Sequence, residues 1–246
     1  MSNLTNKVAL VTGGSRGIGA AIAKRLAADG ASVAITYAKD ASAVSAVVKA
    51  IELGGGKAIA IQADAADVEA VKSAVSKAVA TFGRLDVLVN NAGTVIPKPF
   101  EESTQEEMDR VVDINIRGVF ATTQAALKYL NDGGRIIMIG SAVGERAAAP
   151  GMVPYAATKG AVKMFTQALS REVGSRGITV NNIQPGPIDT DLNPASGDWA
   201  VPQKAATALD RYGRADEIAA MVAFVAGPES SYITGANLTV DGGMNA

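Results

Sequence analysis

An α/β fold built on a doubly wound parallel sheet, with helices on both faces, is what this sequence predicts. Three observations carry that reading. Short apolar runs alternate with helix-period segments along nearly the whole chain. The first of those runs feeds a glycine-rich turn that opens a helix. The 246 residues contain no linker, no low-complexity tract and no long-period repeat, so a single domain over 1–246 is expected.

The elements follow in order. Val8-Ala9-Leu10-Val11 suits a short buried strand. Thr12-Gly13-Gly14-Ser15-Arg16-Gly17-Ile18-Gly19 follows, then a helix with Ile22 and Leu26 four apart, closing near Gly30. Ser32–Tyr37 reads as the second strand, Ala41–Leu53 as a helix closed by Gly54-Gly55-Gly56, and Lys57–Gln62 as the third strand. Val68–Phe82 is helical by period, and a fourth strand covers 85–89. Helices are expected near 104–116 and 119–130, then a fifth strand at 135–140. A helix begins near Tyr155, where Pro154 is tolerated. A sixth strand at 178–183 leads to Pro185-Gly186-Pro187. From 188 to 211 the pattern breaks, with Pro194, Gly197, Trp199 and Pro202; such segments are often lids, and this one is the expected substrate loop. A helix at 216–225 and a seventh strand at Asn237–Val240 complete the series.

Composition narrows the chemistry. There is no cysteine, hence no disulfide framework and no thiolate metal site. There is no histidine, which removes the usual general base and most zinc chemistry; no metal is expected. A net charge of -1 leaves no footprint for nucleic acid. Residues 1–7 are polar, without the apolar run of a signal peptide, and no apolar run is long enough to span a membrane. A soluble cytoplasmic protein is the expectation.

The glycine turn sits between strand and helix, where backbone can approach a pyrophosphate and the helix N-terminus attracts its charge. Its spacing is Gly-x-x-x-Gly-x-Gly, not the commoner Gly-x-Gly-x-x-Gly, and a tight turn without a ligand is the plainer alternative. The second strand ends in Thr36, Tyr37, Ala38 and Lys39, with no acid before Asp40. A carboxylate there would select the free ribose of NAD. Arg16 and Lys39 instead suit a 2′-phosphate, hence NADPH, unless both are simply solvated. Asp64 ends the third strand and either accepts from an adenine amino group or caps the next helix. Asn90-Asn91-Ala92-Gly93 either lets backbone pass close to a cofactor or bonds its own loop.

Ser141 stands at the carboxyl end of the fifth strand, the edge where open parallel sheets bind ligands. Tyr155 and Lys159 are one helical turn apart. An ammonium beside a phenol lowers its pKa, and such a phenol exchanges a proton with a carbonyl or alcohol oxygen near neutral pH. Taken alone, the pair is an ordinary helical spacing. The apolar arc of this helix, Ala157, Ala161, Met164, Phe165, Ala168 and Leu169, is wide for covering one sheet, so part of it is expected against a partner subunit.

In this order the motifs resemble the short-chain dehydrogenase/reductase family over the whole chain: Thr12-Gly13-x-x-x-Gly17-x-Gly19, Asn90-Asn91-Ala92-Gly93, Asn115, Ser141, Tyr155-x-x-x-Lys159 and Pro185-Gly186. The nearest likeness is to bacterial 3-oxoacyl-carrier-protein reductases and related NADPH-dependent carbonyl reductases. The resemblance implies a single-domain Rossmann-type sheet of seven strands, usually in a homotetramer whose interfaces include the Tyr155 helix. It implies that Tyr155 gives the proton to the substrate carbonyl, that Lys159 binds the nicotinamide ribose and tunes Tyr155, and that Ser141 orients the substrate oxygen. Asn115 would hold a water linking Lys159 to solvent. Gly13, Ser15, Arg16, Gly17, Ile18, Gly19, Tyr37, Ala38, Lys39, Asp64, Ala65, Asn91, Ala92, Gly93, Pro185, Gly186, Ile188 and Thr190 would line the NADPH/NADP+ site with Tyr155 and Lys159. Ser141 and Asn115 also have plain readings, as a strand-end hydroxyl and a helix-terminus residue.

Two departures bear on the substrate. Ser141 and Tyr155 are fourteen apart where relatives often show thirteen, and Ala148, Ala149 and Pro150 make that wall apolar. Relatives that use acyl carrier protein tend to carry cations before the fifth strand; Lys128-Tyr129-Leu130-Asn131-Asp132-Gly133-Gly134 is nearly neutral, with Arg171 and Arg176 as remaining candidates. The preferred expectation is an NADPH-dependent reductase of free small ketones or aldehydes, with the carrier-protein reductase second. A non-catalytic NADP-binding sensor and an NAD-linked dehydrogenase are the alternatives. Trp199 either closes over the substrate or anchors its segment.

Overall fold

The computed structural model describes residues 4–147 and 149–246, so the apolar contribution expected of Ala148 lies outside the described residues. Seven parallel strands form the central sheet: β1 (Val8–Val11), β2 (Ser32–Tyr37), β3 (Lys57–Gln62), β4 (Leu85–Asn90), β5 (Leu130–Ile139), β6 (Thr179–Pro185) and, last in the chain, β9 (Asn237–Val240). Their spatial order is β3-β2-β1-β4-β5-β6-β9. The order reverses between β1 and β4, which opens a crevice at the carboxyl ends of those strands.

Alternating side chains feed two cores. Ala9 and Val11 join Ile22 and Leu26 of α1 (Gly17–Ala28), Val44 of α2 (Ala41–Leu53), and Ile218 and Val222 of α8 (Ala215–Ala226). Val8 and Leu10 point the other way, to Val75 of α3 (Val68–Phe82), Val119 of α5 (Gly118–Leu127) and Val162 of α6 (Val153–Val173). That two-sided burial is why the strands read as continuous apolar runs. Capping acids set the helix starts: Asp40 accepts from Ala43 N–H at 2.9 Å, and Asp67 accepts from Glu69 and Ala70 N–H.

Three expectations need correction. The two helices expected at 104–116 and 119–130 are one run: α4 (Gln105–Val112), a wider π turn over Asp113–Arg117, then α5. Gly118 does not break the helix; it lets the helix lie against Ala65, whose carbonyl oxygen would sit 2.2 Å from a Cβ at that position. The run stops at Leu127, and Leu130 instead starts β5, pairing with Leu85 before a register shift brings Arg135 opposite Val87. The irregular segment contains β7 (Ile188–Asp189) and α7 (Ala200–Ala205), and β7 pairs with β8 (Gly213–Arg214).

The amino edge of the sheet has its own fastening. Asp86, nearly all buried, accepts from Val8 N–H at 3.0 Å and from two nitrogens of Arg84 at 2.6 and 2.8 Å, with Lys7 at 3.6 Å. Burial alone would raise this carboxyl, but Arg84, Val8 N–H and Lys7 hold it below the usual range. On α6, Leu169 is buried and Phe165 stacks at 4.6 Å on Phe120, whereas Ala157, Met164 and Ala168 face outward. No helix among the described residues is long and apolar enough to cross a membrane.

Candidate active site

The glycine turn and the loop after β4 are built as one unit. Gly13 has φ +63°, and a Cβ there would lie 2.9 Å from Ala92 Cα. Gly17 has φ +54° and packs beside Thr190. The Asn91 amide donates to the carbonyls of Thr12 at 2.9 Å and Gly13 at 3.0 Å, and the Thr12 hydroxyl accepts from Asn91 and Ala92 N–H. The asparagines therefore bond across to other elements: Asn90 donates to Thr123 Oγ1 at 3.0 Å. No side chain caps the first turn of α1, so its leading N–H groups stay available for an anion. Ser15, Gly17 and Ile18 are half-buried beside them, and Gly19 is buried against Asn91.

The end of β2 presents Tyr37, Ala38 and Lys39, the last two exposed. Asp40 is occupied as the cap of α2 and accepts from Ser42 Oγ at 2.7 Å. Arg16 stands free of strong partners, 3.8 Å from Asp191 with both side chains largely exposed. The segment thus offers cations where a ribose-binding carboxylate is missing. Asp64 does not cap α3, since Asp67 does. It accepts from Ala66 N–H at 3.0 Å and from the Arg110 guanidinium at 3.0 and 3.2 Å. Burial pushes its carboxyl up, and those donors overcome it to leave the carboxyl below the usual range. Asp64 is marked by its place at a strand end, but Arg110 carries no spacing signal in the sequence.

Ser141, Tyr155, Lys159 and Asn115 come together at the carboxyl edge. Ser141 follows β5; its Oγ accepts from Val143 N–H at 3.2 Å, and its side chain lies near enough to the Tyr155 phenol to favour the phenolate. Tyr155 lies in the first turn of α6, just after Pro154. Lys159 is 6 % exposed; its Nζ donates to Ile139 O at 2.8 Å and lies 5.6 Å from the centre of the Tyr155 ring. Asn115 sits in the π turn. Its Oδ1 accepts from Thr94 N–H, and its Nδ2 donates to Thr94 O and to Thr158 Oγ1, at 2.9 to 3.0 Å. Gly93 is where these groups meet: a Cβ there would lie 3.5 Å from Asn115 Oδ1 and 3.7 Å from Lys159 Nζ. Thr94 and Thr158 were not foreseen, because an isolated threonine carries no spacing signal.

The electrostatics differ from the sequence expectation in one respect. Burial raises the Tyr155 phenol, and the nearby Ser141 side chain only partly opposes it. Burial pushes Lys159 down to about 8. The pair therefore has a phenol that stays protonated at neutral pH, which suits a proton donor, beside an ammonium that loses its proton near pH 8.

The rest of the expected lining is peripheral to this quartet. Gly186 lies against Asp241, whose Cα would be 2.7 Å from an added Cβ, and Ile188 is buried. Ala149 and Pro150 are exposed, and Gly151 accepts at its carbonyl from Lys98 N–H at 3.1 Å. Trp199 is 56 % exposed. The segment is held by Gln203, whose Oε1 accepts from Asn193 at 2.8 Å and from the Tyr212 hydroxyl at 2.9 Å. Arg176 is committed to Asp132 and to the carbonyls of Leu127 and Leu130, while Arg171 is exposed. A cavity of about 690 Å³ lies behind the turn, between α1, α2 and α8, and includes Ser15, Arg16 and Lys24.

Comparison with known proteins agrees with this architecture. A family model described as enoyl-(acyl carrier protein) reductase matches residues 13–245. A cyclic-di-GMP-binding biofilm dispersal mediator protein of Escherichia coli is 43 % identical over 246 residues, all of both chains. A 3-oxoacyl-[acyl-carrier-protein] reductase of Synechocystis is 42 % identical, over 99 % of each chain. A short-chain dehydrogenase of Burkholderia cenocepacia, solved in complex with NADP, is 53 % identical and superposes with a TM-score of 0.98, covering 99 % of this chain and 100 % of that one. The chain belongs to the short-chain dehydrogenase/reductase family and is an oxidoreductase of the CH–OH/C=O couple.

Proposed function

We propose that this protein is a carbonyl reductase that uses NADPH to reduce free small ketones or aldehydes. One observation carries the reading: Ser141 Oγ, the Tyr155 phenol and Lys159 Nζ converge at the carboxyl edge, beside a glycine turn flanked by the exposed cations Arg16 and Lys39. NADPH supplies a hydride when bound. The residues present fit it. Gly13 and Gly17 clear the turn for a pyrophosphate, the uncapped N–H groups of α1 face that space, and Arg16 with Lys39 suits a 2′-phosphate. The NADP-bound Burkholderia relative supports the same choice.

Tyr155 gives its proton to the carbonyl oxygen. Ser141 holds that oxygen through its hydroxyl, and so fixes the distance across which the proton moves. Lys159 turns its charge from Ile139 O to the ribose and to the phenolate left behind. Asn115 has both amide protons spent on Thr94 and Thr158, so a relay water is held by the remaining lone pairs of its carbonyl oxygens. The segment 188–211 covers the substrate, with Trp199 free to fold over it. The chain acts as one domain, in a homotetramer that buries the outward Ala157, Met164 and Ala168 of α6, and it works in the cytoplasm.

A carrier-bound β-ketoacyl thioester is the second substrate class, favoured by the Synechocystis relative. The commitment of Arg176 to Asp132 and chain carbonyls removes one of the two cations that would meet an acidic carrier. Initial rates with NADPH on a carrier-bound β-ketoacyl thioester, a free β-ketoester and an aryl ketone separate the two. Tyr155→Phe should abolish turnover while NADPH still binds. Turnover near the wild-type rate in that variant would overturn the acid assignment. NADPH binding without turnover on any of the three by the unaltered protein would point to the non-catalytic sensor.

A further inference from the structure

The short turn carrying Ser141 is tied down from three sides by residues with no part in the reaction described above. Ala142–Gly144 forms one tight turn, with Gly144 N–H donating to Ser141 O at 2.9 Å and Glu145 N–H to Ala142 O at 3.0 Å. Glu145 follows directly. One of its carboxylate oxygens accepts from Lys163 of α6, and the other accepts from the Gln184 amide of β6 at 3.1 Å. Lys163 is one helical turn beyond Lys159 and two beyond Tyr155, on the same face of α6. From the other side, the Asn245 amide donates to Ala142 O at 2.9 Å. The turn also rests on α6 itself: a Cβ at Gly144 would lie 2.9 Å from the Lys159 carbonyl carbon.

We infer that Glu145 is a positioning residue: by joining α6 to β6 through its carboxylate, it holds the Ser141 hydroxyl in register with the Tyr155 phenol. Ser141 and Tyr155 are on different elements, a strand end and a helix start; Lys159 Nζ on Ile139 O and the packing of Gly144 on α6 bring those elements together, but neither holds the serine's turn by a side chain of that turn. Keeping the two hydroxyls close calls for a restraint on the serine's own turn. Glu145 supplies it within one turn of the serine. The pair with Lys163 is partly buried, with each side chain about 30 % exposed, so solvent screens it only in part. Gln184 is fully buried, so one end of the tether is fixed in the packed sheet. Its Oε1 has no partner, so a flip of the amide about its last bond lets it accept a hydrogen bond if the charge at position 145 is reversed.

This inference rests on the carbonyl-reductase reading, and its test separates the two. Glu145→Gln keeps the shape and removes the ion pair; Glu145→Lys with Lys163→Glu restores the pair reversed, with Gln184 turning its oxygen to the new ammonium. Hydrogen exchange at the amides of 142–144 is followed without substrate, alongside kcat, the carbonyl KM and NADPH affinity by fluorescence. In Glu145→Gln, exchange at 142–144 should quicken several-fold, kcat should fall by about ten- to a hundredfold, and NADPH affinity should stay within about twofold. The reversed pair should recover most of the lost kcat. Unchanged exchange or unchanged kcat in Glu145→Gln overturns the inference. So does a reversed pair no better than the single variant, or NADPH affinity falling in step with kcat, which would mark general loosening. If the unaltered protein binds NADPH but reduces no carbonyl, the functional reading fails, and the exchange measurement still decides whether Glu145 tethers the turn.

Discussion

Lys159 can be replaced to ask what its burial costs. The side chain is almost fully enclosed, and its pKa falls from 10.5 to about 8. Holding the ammonium there costs about 3 kcal/mol at pH 7, from 1.36 kcal/mol per pKa unit. The folded state binds its proton less tightly than the unfolded chain. The penalty is therefore complete below pH 8 and disappears as pH rises to 10.5. Lys159→Met removes the charge at similar length but strands the Ile139 carbonyl, which now accepts at 2.8 Å; that loss is about 1–3 kcal/mol. The variant should therefore be at least as stable at pH 7, by up to about 2 kcal/mol or up to roughly 6 °C in melting temperature. At pH 9.5 most of the penalty has gone, and the advantage should shrink by about 2 kcal/mol, to zero or below. Thermal melts of both proteins at the two pH values, without nucleotide, test this. A variant that melts below the wild type at pH 7, with a gap that does not change with pH, would refute the reasoning. An inactive protein that is harder to melt is what a site kept at the expense of stability should yield.

Other outcomes follow from the same geometry. Arg16→Ala should raise the NADPH KM by about ten- to a hundredfold, the worth of one charged hydrogen bond, and leave the NADH KM nearly unchanged; equal effects in steady-state kinetics would remove the phosphate contact. Gly118→Ala places a Cβ 2.2 Å from Ala65 O, a backbone atom that cannot swing aside, so the variant should lose at least about 3 kcal/mol in urea unfolding. Asp86→Asn should cost about 2–4 kcal/mol by the same measurement at pH 7, because Arg84 and Lys7 lose their counter-charge. That deficit should narrow as pH falls through the lowered native pKa of Asp86, where the wild type loses the same charge.

Much of this architecture is legible without coordinates, for identifiable reasons. β1, β2 and β3 are short runs enclosed by glycine or capping acids, and their bounds match the expected ones residue for residue. The residues of the quartet are marked in different ways: Tyr155 and Lys159 by sharing a helix face, Ser141 by its strand end, and Asn115 only through the family resemblance. What the chain hides is contact between distant segments. Gly118 looks like a break but is a close approach to Ala65. Asn131-Asp132-Gly133 looks like a turn, yet Leu130 is drawn into the sheet by Leu85. Asp64 has the placement of a cap but is drawn to Arg110, forty-six residues on. The phenol was misjudged for a related reason: the sequence puts an ammonium one turn away, but the depth of burial that outweighs it is a property of the assembled loops.

The Asp86 cluster lies at the rim opposite the reaction. Strands that carry ligand-binding groups at one end are here latched at the other, by an acid with a backbone donor and two cations. Such a division leaves the working rim free to vary. Loops after β4, β5 and β6 can be exchanged or lengthened to admit new substrates while the latch keeps the strands aligned. An engineer retuning selectivity would therefore do well to leave Lys7, Arg84 and Asp86 untouched and spend the mutations at the far end of the same strands.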